Sequence, residues 1–426
     1  MADYVSLSGG EEPPPPPPPP QQQRSSKPRI ASLDVFRGLS LALMTFVDYA
    51  GSVAVVAHSP WNGVHLADFV MPFFLFIAGI SVALVYKNTS RRSLTSYKAM
   101  VRALKLFLLG VLLQGGYFHG LNSLSYGVDI EKIRWLGILQ RIAIGYIGAA
   151  LCEIWSPHVL SRDARCNLFK KFFFQWVIVL LISCTYLGLL YGLYVPDWQF
   201  KVPQPPSSDL SPNESYAIYT VKCGVRGALG PACNSAGMID RYALGIEHLY
   251  MKPVYRNLQI CNNSKILQVT ESSPSWCWAP FEPEGILSSL MAVATCLIGL
   301  HYGHVLVEVE DDKDRLHHWL IFSVGVFAFG MLLSFIGIPL NKSLYTTSYM
   351  LITTATAGFT FCALYYLVDM QGFRCLTFIL EWMGRHSLMI FIFVTSNIAI
   401  IGIQGFYWKH PENNIIHWIV AIFVHK

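Results

Sequence analysis

Apolar residues fall along this chain in long continuous runs, not in strict alternation. The first covers about 37–56, opening RGLSLALMTFVDYAGSVAVV, and the second about 67–86, ADFVMPFFLFIAGISVALVY. Others lie at about 100–117, 135–154 and 172–194, then at 284–306, 317–337, 346–368 and 386–405. Each approaches the roughly 20 residues that a helix needs to cross a bilayer. A last run, 414–425, is shorter and reads as a tilted or partial helix, or as part of a truncated span. The pattern predicts an all-α polytopic membrane protein, with nine full spans and a doubtful tenth in a bundle of about ten transmembrane helices.

Two stretches break the pattern. Residues 195–283, between the fifth and sixth runs, are polar and rich in Pro, Ser, Asn and Cys. Residues 1–29 end in GGEEPPPPPPPPQQQRSSKPR. That segment has no apolar core, so it is not a signal peptide. Its proline run favours an extended polyproline conformation, which reads as a disordered cytosolic tail and a spacer. The expected organisation is a tail at 1–29, five helices within 30–194, a lumenal loop at 195–283 and the remaining helices within 284–426.

Composition agrees with the pattern. Of 426 residues, 53% are hydrophobic and 13% charged, with a mean hydropathy of +0.42; soluble domains carry roughly 25% charged residues. The net charge of +5 is then a matter of topology and does not imply nucleic acid, because Lys and Arg concentrate in cytosolic loops. Arg24, Lys27, Arg29 and Arg37 precede the first run, which places the N-terminus in the cytosol. Lys87, Arg91, Arg92 and Lys98 follow the second run, Arg162, Arg165, Lys170 and Lys171 the fourth, and Lys313 and Arg315 the sixth. These loops alternate as that orientation requires. The stretch 58–66 has no Lys or Arg and falls on the opposite side, as does 195–283.

Cysteine usage fits an oxidising compartment for that loop. Four of ten cysteines, Cys223, Cys233, Cys261 and Cys277, lie in it, which suggests disulfides. Pairing Cys223 with Cys233 and Cys261 with Cys277 closes two short local loops. The loop also has N-x-S sequons at Asn213 and Asn262, usable only on the lumenal side. The other cysteines read as small buried hydrophobes.

Charged side chains inside spans are costly and usually face the bundle interior. Arg37, Asp48, Asp68, Arg141 and Glu153 form such a set. Asp34 and Arg37 also read as an ordinary interfacial ion pair. Asp48 lies eleven residues beyond Arg37, about 16 Å along a helix, and its side chain is too short to snorkel. Asp68 also reads as an acid favoured at a helix N-terminus. His58, in HSPWNGVHLADF, has the right chemistry for a general base, and either Asp48 or Asp68 could orient its ring. It also reads as a loop histidine that ends a helix. His65 is a second candidate that nothing local separates from it. The adjacent His317 and His318 point to different helix faces and cannot easily share a metal. The sequence has no phosphate-binding loop, dinucleotide fingerprint or zinc-protease motif.

SLDVFRGLSLALMTFVDYAG followed by HSPWNGVHLADFVMPFFLFIAGISVAL resembles the heparan-α-glucosaminide N-acetyltransferase family of membrane acyltransferases. LGILQRIAIGYI at 136–147, IDRYALGIEHLY at 239–250 and EPEGILSSL at 282–290 continue the resemblance in order. It covers roughly 30–410 and looks most like the plant branch. The resemblance implies transfer of an acetyl group from cytosolic acetyl-CoA to a glucosamine amine on the lumenal side. It places the active-site histidine just before the Trp-Asn-Gly, at His58 and not His65. Asn62, Asp68, Arg141, Asp240 and Arg241 fall on family motif positions and carry over as residues of the substrate or donor site, with Arg37 on the donor path. Asp48 stands where the family has an asparagine; a carboxylate there would raise the basicity of a nearby histidine, where an amide would only orient it. His386 stands near the C-terminus where the family tends to have asparagine, so the acceptor side is expected to differ. The animal lysosomal members carry an N-terminal lumenal domain and a further span before the first motif, where this chain has its short tail.

The implied mechanism uses His58 either to deprotonate the acceptor amine or to carry the acetyl group. The nucleotide phosphates of acetyl-CoA would meet basic residues such as Arg91, Arg92 or Lys105, which also read as ordinary positive-inside charge. Expected partners are acetyl-CoA, an amino-sugar or other glycan acceptor, the lipid bilayer and a second copy of the chain, with no metal and no nucleic acid. The expected location is an endomembrane of vacuolar or lysosomal type, or the plasma membrane. A transporter is the rival reading, since intramembrane charges also mark transport paths; its usual internal repeat is not visible here. A non-catalytic relative is a third, left open by Asp48.

Overall fold

The computed structural model describes residues 30–50, 55–86, 91–114, 134–156, 171–203, 216–250, 253–261, 273–279, 282–396, 413 and 415–423. Among them helices dominate. They are α1 (Ala31–Ala50), α2 (Val70–Tyr86), α3 (Arg92–Gln114), α4 (Ile138–Trp155) and α5 (Phe173–Gly192) in the first half. In the second half come α6 (Ser235–Leu244), α7 (Ile286–Glu308), α8 (Asp312–Ile336), α9 (Thr347–Leu364), α10 (Arg374–Arg385), α11 (Ser387–Thr395) and α12 (Ile415–Phe423). The proline-rich tail and both sequons lie outside the described residues.

Among the described residues, six helical spans are long and apolar enough to cross a membrane, or seven if one bent pair counts as a span. The chain is therefore a multi-pass membrane protein, with six or seven of the expected ten spans apolar enough among the described residues. α1 carries Asp34, Arg37 and Asp48, and α3 opens with Arg92, Lys98, Arg102 and Lys105, so neither is apolar enough throughout. The bent pair is Thr377–Arg385 and Ser387–Thr395, meeting at 81°; only the second piece lies in the run expected at 386–405, whose residues 397–405 are outside the described ones. α12 has only nine residues.

The helix ends follow local chemistry. A 3-10 turn at Leu66–Phe69 leads into α2, where Asp68 accepts the backbone N–H of His65 at 2.9 Å; such a bond satisfies a donor that a helix start leaves open. Asp311 caps α8 by accepting from the Lys313 N–H at 3.1 Å. α8 ends at Gly337, whose φ of 114° closes the helix; only glycine takes such angles freely.

At the centre, α2 runs along α7. A Cβ on Gly79 would stand 2.1 Å from the Cys296 carbonyl oxygen, and one on Gly299 would stand 2.3 Å from that of Phe76. The two backbones therefore touch at two glycines one helix face apart, the small-residue packing that membrane helices use in place of a hydrophobic drive. Phe36, Phe73, Phe76, Tyr302 and Phe361 fill the surrounding space. Of the free cysteines, Cys296 and Cys362 are buried, whereas Cys184 and Cys375 are exposed on helix surfaces, unlike the expected buried role.

Beyond the ends of α5 and α7, the polar stretch folds as its own small layer. β2 (Trp198–Pro203) pairs antiparallel with β3 (Tyr216–Val221), Trp198 opposite Val221, and β1 (Tyr194–Val195) pairs with β4 (Val225–Arg226). The expected all-α class is thus amended by two short strand pairs. Phe200, Val221, Leu249 and Ala279 form the core of this layer with Trp198, Trp276 and Trp278. Disulfides join Cys223 to Cys233 and Cys261 to Cys277, the pairing that short loops favoured. The layer is tied to the helices by Trp61 Nε1, which donates to the Leu229 carbonyl at 2.9 Å, and by Ser235 Oγ, which donates to that of Leu190 at 2.6 Å.

Replacing Gly79 by Val forces α2 away from the α7 backbone. The expected loss is about 1–3 kcal/mol, seen as a fall of several degrees in the melting temperature in detergent. An unchanged melting curve would show that the two helices do not meet at this glycine.

Candidate active site

The loop before α2, the starts of α4 and α7, and the α8–α9 connection converge at one end of the bundle. His58 lies in the first of these. Its Nδ1 is 2.7 Å from Oδ1 of Asp68, whose side chain is fully buried. The other carboxylate oxygen accepts the backbone N–H groups of Ser59 at 3.2 Å and His65 at 2.9 Å. Tyr349 donates its hydroxyl to the Asp68 carbonyl. Three bonds to one carboxylate leave it no freedom to rotate, and acceptance of the Nδ1 proton leaves the lone pair of His58 on Nε2. The ring is about one-third exposed at 36%, so Nε2 is reachable. His65 differs: its Nδ1 lies 3.1 Å from the Ala57 carbonyl, so its ring closes the loop.

The α8–α9 connection brings Lys342 to this ring, with Nζ 3.1 Å from Nδ1 and 3.3 Å from Nε2. The connection is pinned on both sides of the lysine. Asn341 donates from Nδ2 to Asn62 Oδ1 at 3.3 Å, Gly63 N–H donates to the Leu340 carbonyl at 2.8 Å, and Ser343 Oγ donates to Glu282. Nζ of Lys342 also lies 3.7 Å from Oε1 of Glu284. The other oxygen of Glu284 accepts from Arg141 at 2.8 Å and Arg134 at 2.9 Å. Arg134 in turn lies over the Tyr250 ring, 4.4 Å from its centre.

The electrostatics follow from this packing. Burial opposes the charge of Glu284, but Arg141, Lys342 and Arg134 outweigh it and hold its carboxyl well below the usual range. Glu282 moves the other way, raised by burial and then by the neighbouring charge of Glu284. A carboxylate buried this deeply is stable only with cations on it, and Arg141 and Arg134, at 2.8 and 2.9 Å, are the near partners.

The remaining candidates are placed as follows. Asp48 is exposed in the last turn of α1 and interacts electrostatically with His58, with no hydrogen bond between the two among the described residues. Asp240 accepts the Ile286 N–H at 2.8 Å, capping α7; burial pushes its carboxyl up to about 6 against the pull of that bond and of Arg141 and Arg241. Arg241 stacks on Trp198, 4.0 Å from the ring centre. Arg37 pairs with Asp34 at 3.0 Å and donates to Ser81 Oγ at 2.6 Å; neither Arg37 nor Arg141 pairs with Asp48. His386 is exposed at the bend between α10 and α11, its ring 5.4 Å from that of Trp382, and no described contact joins it to the His58 group. Among the described residues no cluster of three or more His, Cys, Asp or Glu could hold a metal ion.

Sequence reasoning missed Lys342, Glu284 and Arg134. A signal existed for the first: Lys342 is a cation between two apolar runs on the side where positive charge is scarce. For the second, two glutamates stand directly before an apolar run in EPEG.

The arrangement is a membrane helix bundle with a carboxylate-held histidine and a buried ion network at one end. Residues 29–191 match the model of the family described as "Heparan-alpha-glucosaminide N-acetyltransferase, catalytic". It is 29% identical over 434 residues to the heparan-alpha-glucosaminide N-acetyltransferase of Mus musculus, a match covering 94% of this chain and 60% of the relative. It is 28% identical over 410 residues to that of Homo sapiens, covering 91% of this chain and 55% of the relative. The chain thus spans little more than half the length of these relatives.

The raised carboxyl of Asp240 predicts a pH effect on stability. The folded state binds its proton more tightly than the unfolded state, so the contribution is full below about pH 4 and is lost as pH rises through about 6. Asp240→Asn keeps the acceptor for Ile286 and should flatten that decline in melting temperature. A slope identical to that of the parent protein would exclude Asp240 as its source.

Proposed function

We propose that this protein is a membrane acetyltransferase that moves an acetyl group from acetyl-CoA to the amine of an amino sugar, with His58 as the base. The observation that carries the reading is the His58–Asp68 pair at 2.7 Å on a buried, triply bonded carboxylate. An amine must shed a proton as it attacks a thioester, and a histidine fixed through Nδ1 presents Nε2 for that proton. The same lone pair would serve if the acetyl group were first carried on the ring. Asp68 stabilises the imidazolium that either route creates. Asp48, within electrostatic range of His58, would favour that cation further.

Positive charge supports a direction for the reaction. Basic residues stand beside helix ends on the far side from His58: Arg91, Arg92 and Lys98 after α2, Lys171 before α5, and Lys313 and Arg315 after α7. That end would face the cytosol and meet the donor's phosphates, with the thin pantetheine arm reaching through the helices. The disulfide-linked layer and the acceptor would then share the lumenal side, in a vacuolar or lysosomal type of membrane. Arg141 and Arg134, held by Glu284, would line the acceptor's entry with Asn62. Asp240 and Arg241 would support that wall from the polar layer. The family names of the relatives point to a glucosamine acceptor.

Purified protein in detergent should transfer labelled acetyl from acetyl-CoA to glucosamine. His58→Ala should lower the rate by roughly 10²–10⁴-fold, and Asp68→Asn by about 10²-fold or more through loss of ring orientation. A folded His58→Ala variant with undiminished transfer would remove His58 from the chemistry. Failure of the parent protein across a panel of amines would favour the transporter reading.

A further inference from the structure

Lys342 is itself a primary amine at the proposed base. Nζ stands against the ring, 3.1 Å from Nδ1 and 3.3 Å from Nε2; with the Nδ1 proton given to Asp68, Nε2 is the nitrogen free to accept from it. A rotation of the lysine side chain would bring Nζ in line with the Nε2 lone pair, the place an acceptor amine takes for His58 to remove its proton. We infer that Lys342 is an internal acceptor, acetylated on Nζ by the protein's own site when no amino sugar is bound. The inference rests on the acetyltransferase reading above.

Three features support it. The lysine is aimed at the ring by its neighbours, because Asn341 is held to Asn62 and Ser343 to Glu282; proximity of this kind removes most of the entropic barrier to a bimolecular step. Its side chain is 16% exposed, at the mouth of the site and not sealed in the core. Loss of its charge leaves no anion stranded, because Glu284 retains Arg141 and Arg134 on its second oxygen at 2.8 and 2.9 Å.

The step balances without any further reactant. His58 Nε2 takes one proton from the ammonium. Neutral Nζ attacks the thioester carbonyl, the C–N bond forms and the C–S bond breaks. The sulfur leaves with the bonding pair and takes the second proton from nitrogen as the thiol of CoA, and the imidazolium returns its proton to water. The product is an uncharged amide beside His58, so the ammonium no longer competes for Nε2.

The test is peptide mass spectrometry of purified protein incubated with acetyl-CoA, with and without glucosamine. Lys342 should gain one acetyl group at least about 10-fold faster than the exposed Lys201, Lys222 and Lys313. Glucosamine should suppress the gain by taking its place at Nε2. His58→Gln should abolish the rate difference while leaving exposed lysines unchanged. The acceptor effect needs no variant, so misfolding of His58→Gln would not blunt the test. If the same preparation acetylates glucosamine while Lys342 reacts no faster than exposed lysines, the inference is wrong and the acetyltransferase reading stands. If neither is acetylated, both are wrong.

Discussion

The site depends on one buried carboxylate. Asp68 sits at the point where the loop from His58 becomes helix α2, and it does two jobs with two oxygens. One holds the histidine ring; the other takes the N–H groups of Ser59 and His65. A carboxylate in that position would be costly without those donors, because an unpaired buried charge is far from water. The hydrogen bonds that stabilise the charge are the same ones that shape the loop. Helix start, loop path and ring orientation therefore form one structural unit.

The ion network around Glu284 follows the same logic on a larger scale. Arg134 and Arg141 at the start of α4 and Lys342 in the α8–α9 connection meet on one carboxylate. None of the three could be buried alone. Burial raises the carboxyl of Glu282 while the surrounding cations lower that of Glu284, so two glutamates two positions apart are shifted in opposite directions. The result is a wall of fixed positive charge beside His58, with Lys342 the member that reaches the ring. Such a wall suits a reaction in which a thioester oxygen develops negative charge.

These groups can meet only because the helices carrying them are rigidly packed. α2 and α7 touch backbone to backbone at Gly79 and Gly299, which fixes the start of α7, and with it Glu284, relative to Asp68. The polar layer braces the same end through Trp61 and through the Asp240 cap on α7. The disulfides staple that layer internally, so the brace does not rest on its small core alone.

Much of this could be read from the residues in order. Apolar run length fixed membrane insertion, because a bilayer demands it of any helix. Short-range cysteine spacing indicated both disulfides, and the histidine and its aspartate lie close enough in sequence for one loop to bring them together. Charge sets α1 and α3 apart from the six apolar spans, and a bend of 81° separates the helices on either side of His386. What the tertiary structure alone decided is which distant charges meet. Lys342 and His58 are 284 positions apart, and Arg141 and Glu284 are 143 apart. No periodicity links such pairs, since they are joined by helix packing and by the need of every buried charge for a partner. Asp68 rather than Asp48 holds the ring for the same reason: the sequence offered two carboxylates, and the folded loop aligned one of them with Nδ1.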